Sequence, residues 1–66
     1  MTLLLNGHAM PIAQMGPDFL ILDNPIEHGP CVADVVLSVD GHENRWAVRL
    51  PEGIRRDHKR VPGAKI

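Results

Sequence analysis

The most regular pattern in the chain runs from residue 35 to 50, VVLSVDGHENRWAVRL. Apolar side chains alternate with polar ones on both sides of Asp40-Gly41. Period-two alternation predicts strands with one buried face, and Asp-Gly is a favoured two-residue hairpin turn. A two-residue loop pairs Val39 with His42, Leu37 with Asn44, Val35 with Trp46 and Ala33 with Val48. A four-residue loop instead sets Leu37 against Trp46 and Val35 against Val48. Either register gathers Val35, Leu37, Val39, Trp46, Val48 and Leu50 on one face, which is the expected core, centred on Trp46. A three-residue loop would split that apolar set between faces and is disfavoured.

Elsewhere, turn-forming residues punctuate the chain at short intervals: Asn6-Gly7, Gly16-Pro17-Asp18, Asp23-Asn24-Pro25, His28-Gly29-Pro30, Pro51-Glu52-Gly53 and Pro62-Gly63. This spacing leaves no room for a long amphipathic helix, so short strands are the remaining reading. They are expected near 2–5, 8–15, 19–22, 32–39 and 42–50. Asn6-Gly7 predicts a second tight hairpin, and Pro11 predicts an edge position or a bulge in its strand. Phe19-Leu20-Ile21-Leu22 is apolar on both faces, as a doubly covered strand would be. The expected fold is all-β: a small five-stranded, mostly antiparallel sheet built from hairpins, half-barrel or sandwich-like. Residues 1–54 form that domain, and residues 55–66 a flexible basic C-terminal tail.

Size sharpens this picture. A chain of 66 residues buries only about 60% of its unfolded surface, so a partner or a staple is often needed. Cys31 is the one cysteine. An internal disulfide is therefore excluded, and a reducing, cytoplasmic setting is expected. No apolar run is long enough for a membrane helix and no signal-peptide pattern opens the chain, so no membrane role is expected. Met1 reads as the start of a complete small frame.

The net charge of −1 hides an asymmetry. Residues 1–54 hold seven acids against Arg45 and Arg49, whereas residues 55–66 hold Arg55, Arg56, Lys59, Arg60 and Lys65 against Asp57. A basic cluster attracts nucleic acid, and Arg55, Arg56, Lys59 and Arg60 are the candidate contacts. The acidic body opposes that attraction, and the ordinary reading of the tail is a solubilising terminus. With Phe19 and Trp46 the only aromatic residues, a base-stacking platform is disfavoured.

Histidine and cysteine raise one further chemistry. His28-Gly-Pro-Cys31, with His8 and His42 on other turns, would supply enough imidazole and thiolate ligands for zinc. The second close-spaced pair of a structural zinc site is missing. The ordinary reading makes His28 a solvated loop residue and Cys31 a small buried hydrophobe. Nucleophile elbows, paired acids near an apolar pocket and phosphate-cradling glycine loops are all absent from the sequence. No catalytic residue and no cofactor is therefore expected. Leu3–Leu5 and Phe19–Leu22 carry more apolar side chains than one face of a small sheet can use, which predicts burial by a second copy or another protein, the alternative being a closed monomeric barrel that buries both runs itself. The expected function is a non-enzymatic interaction module, a homodimer. A nucleic-acid-associated protein using the tail is the alternative, and a metal-binding protein the third reading.

Overall fold

Two tight turns set the first and third hairpins. In a computed structural model describing residues 1–66, Asn6 and Gly7 take φ of 50° and 81°, and Asp40 and Gly41 take 49° and 80°. Paired positive angles at Asn-Gly and Asp-Gly are those of type I′ turns, whose twist matches that of the flanking strands. The first turn joins β1 (Thr2–Leu5) to β2 (His8–Met15). β3 (Phe19–Leu22) follows on the far side of β2. The second turn joins β4 (Cys31–Val39) to β5 (His42–Leu50) with Val39 opposite His42 and Val35 opposite Trp46. The two-residue register is the one adopted.

Pro11 lies in an interior strand, between β1 and β3. Its carbonyl accepts the Asp23 N–H at 3.5 Å, but it has no N–H to return, and β3 ends one residue earlier at Leu22. A bulge follows between Ile12 and Gln14. The extra residue flips the side-chain alternation. Met10 and Ile12 point inward before it, and Met15, opposite Leu20, packs on the core after it.

The sheet has seven strands, not five, and all its ladders are antiparallel. The expected flexible tail is instead built into the sheet. β6 (Arg60–Pro62) pairs with β3, and β7 (Ala64–Lys65) pairs with β5. The strand order is β6-β3-β2-β1-β4-β5-β7, so one short segment covers both edges and the sheet curls into a nearly closed barrel. Gly63 is the hinge between the two strands. Its N–H donates to the Asp18 carbonyl at 2.9 Å, and a Cβ there would stand 2.7 Å from the Leu50 side chain. Closure answers the liability of an unpaired edge.

Inside the barrel, Leu3, Leu20, Leu22, Val35, Val48, Leu50 and Ile54 are fully buried, and Val61 of β6 joins them. The expected core residues divide. Val35, Val48 and Leu50 are in it; Leu37 and Trp46 are only half-buried; Val39 is 50% exposed. The β4–β5 hairpin outruns the barrel. Pairing of β1 with β4 stops at Val36, and β7 reaches β5 no further than Ala47, through the Ile66 N–H. Beyond those points Leu37–Val39 and His42–Asn44 pair only with each other. The molecule is accordingly elongated, 33 × 22 × 22 Å.

Candidate interaction surfaces

The projecting arm, residues 37–45, has two chemically distinct faces. Its inner face continues the core parity: Leu37 and Val39 on β4, with Asn44 and His42 opposite them. Trp46 sits at its base, packed against the core on one side. Lys65 on β7 lies opposite Val48, diagonal to Trp46, and its ammonium stands 5.6 Å from the indole ring. Trp46 and Lys65, with Met15, Gly16 and Pro17, line a groove of about 330 Å³. Aromatic anchors beside a cation are common in binding surfaces. The outer face of the arm carries Val36, Ser38, Glu43 and Arg45, with Arg45 Nη2 3.7 Å from Glu43 Oε1 and both side chains more than half exposed.

The basic segment makes a second surface. Arg55, Arg56, Lys59 and Arg60 are all exposed. Residues 55–58 form a turn, with the His58 N–H donating to Arg55 O at 3.2 Å and the Arg56 N–H to Glu27 Oε1 at 3.4 Å. This turn gathers Arg55, His58 and Arg60 around a groove of about 310 Å³, with Glu52 among its lining residues. Arg56 and Lys59 lie outside it. The Arg60 guanidinium rests over the Phe19 ring, 4.5 Å from its centroid, a cation–π contact. His58 was not singled out from the sequence; its three-residue spacing from Arg55 across a turn is the signal that places it there.

The four candidate metal ligands are not brought together, and no three His, Cys, Asp or Glu side chains form a group that could hold an ion. His8 opens β2 and His42 opens β5, each beside its own turn. His28 has both ring nitrogens engaged: Nδ1–H donates to Gly29 O at 2.8 Å, and Nε2 accepts from Asn6 Nδ2 at 3.2 Å. One neutral tautomer satisfies both bonds. Cys31 is partly covered, and that burial pushes its thiol pKa up. The thiolate that attacks or ligates is thereby suppressed at neutral pH.

No protein family, curated protein or solved structure matches this chain.

Proposed function

We propose that this chain is a non-enzymatic interaction module that associates with a second copy of itself through the projecting β4–β5 arm. One observation supports the reading most. Residues 37–39 and 42–44 form a two-stranded ribbon with no third strand beside them, yet the ribbon carries Leu37, the half-exposed Val39 and, at its base, Trp46. A ribbon of two strands is marginal in water on its own and gains from a neighbour that lengthens or covers it. Sedimentation velocity at low micromolar concentration tests the reading. A dimer is expected, and a monomer throughout would reject it.

A second reading has its own observation. The groove of Arg55, His58 and Arg60, with the Arg60 guanidinium over the Phe19 ring, suits a phosphate backbone. A mobility shift with nonspecific DNA and RNA at low salt, weakened in the R55A/R60A variant, would support nucleic-acid contact. No shift at all would remove it. Point variants are needed because truncation would take Val61 out of the core.

A further inference from the structure

We infer that two copies join edge to edge along β5, with Glu43 of each copy opposite Arg45 of the other. The inference rests on the self-association proposed above and gives it a register.

The free edge of β5 begins where β7 ends. The Ile66 N–H donates to the Ala47 carbonyl at 3.1 Å, so the odd-numbered residues of β5 turn their backbone groups toward that edge. Glu43 and Arg45 are the next two odd residues, and neither has a strand beside it on the edge away from β4. Each copy therefore offers two backbone donors and two acceptors in a row. On the other edge of the arm, only Ser38 lies between the end of the β1 ladder at Val36 and the turn, too short a stretch for a ladder.

A two-fold axis at Asn44 brings two such edges together antiparallel. Glu43 then faces Arg45 of the second copy and Arg45 faces its Glu43, both as hydrogen-bonded pairs. Four backbone hydrogen bonds and two ion pairs form at once. The alternation of charge also selects this register. Sliding by two residues sets Glu43 against Glu43 or Arg45 against Arg45, and directly opposed like charges destabilise a sheet. Sliding by one residue sets an edge-facing residue against one whose backbone is already bonded to β4. On the inner face the same register places His42 opposite Trp46 of the second copy; Gly41 of that copy falls opposite Ala47, so Ile66 gives up its single bond there as the two edges meet. The internal Arg45–Glu43 contact, 3.7 Å and largely exposed, is a small loss when the partners exchange.

The test is a charge swap read by sedimentation velocity. E43R gives an edge with two arginines, and R45E gives one with two glutamates. Each alone is expected to dimerise at least about ten-fold more weakly than the parent. An equimolar mixture of the two is expected to recover association as a heterodimer, since each arginine then meets a glutamate. The double swap E43R/R45E is expected to recover the homodimer, and this recovery separates a lost contact from a damaged fold. If the parent dimerises while the single variants do so equally tightly, or if the mixture fails to recover, the β5 register is wrong and self-association stands. A monomeric parent would overturn both.

Discussion

His28 and Ile54 exchange both of their backbone hydrogen bonds, the His28 N–H to Ile54 O at 2.9 Å and the Ile54 N–H to His28 O at 2.8 Å. This bridge ties the long loop before β4 to a fully buried isoleucine. It exists because Gly53, at φ 69°, brings the chain against the His28 carbonyl with no side chain between them. Gly53→Ala would drive a methyl group into that carbonyl and strain the backbone as well. A loss of about 1–3 kcal/mol is expected in urea denaturation. At Gly29, where an added Cβ meets nothing within 4 Å, Gly29→Ala should stay within about 0.5 kcal/mol of the parent. Equal effects at the two sites would contradict this account of the loop.

Closure of the barrel by its last strands has a direct consequence for stability. Val61 is buried opposite Leu20, and Val61→Ala should cost about 2 kcal/mol from lost burial and the space left behind. Truncation after Lys59 removes β6 and β7 together and bares both edges. Against a net stability of about 3–5 kcal/mol for a domain of this size, the truncated chain is expected to lose cooperative unfolding. A sharp transition like that of the parent would show the tail to be dispensable.

Trp46 and Leu20 should rank in the order opposite to their size. Leu20→Ala empties a fully buried position and should cost about 2–5 kcal/mol. Trp46 is half-buried beneath Lys65, so Trp46→Ala should cost less, about 1–2 kcal/mol. Denaturant titration of the two variants gives the order directly. A larger loss at Trp46 would restore the indole to the centre of the core.

The Cys31 thiol gives a pH signature. Burial raises its pKa in the folded chain, so between the unfolded and folded values the native state holds the proton that the unfolded chain has released. Stability should therefore fall as pH rises through the ordinary thiol range and level off above the folded pKa. Cys31→Ala should lack this fall. Melting temperatures of the two proteins from pH 7 to pH 10 measure it, and parallel curves would remove the assignment.

Local rules carry much of this fold. Asn6-Gly7 and Asp40-Gly41 specify their turns by conformation alone, and alternation places Val35, Val48 and Leu50 on the buried face. What alternation does not encode is how far neighbouring strands extend. Leu37, Val39 and Trp46 share the parity of the core residues, yet β1 and β7 stop short of them. The closing strands were hidden for a related reason. Val61 is the one buried side chain in a run of bases, proline and glycine, too short to show a period, and the two closing strands pair with edges far away in the sequence, Val61 with Leu20 on β3 and Lys65 with Val48 on β5. The basic groove is a partial case. Arg55 and Arg60 were legible as charges, whereas their meeting with His58 needed the turn at 55–58. The candidate zinc ligands, spread over separate turns, met in sequence arithmetic alone.

The hinge at Gly63 also imposes an order of events on synthesis. β3 and β5 are made before the residues that cover their outer edges, and those residues arrive together. Until residue 65 has left the ribosome, a nascent chain presents two open edges at once, each able to pair with another unfinished copy. Closure of the barrel thus waits on residues 60–65, and the interval before they pair is when this protein is most exposed to aggregation.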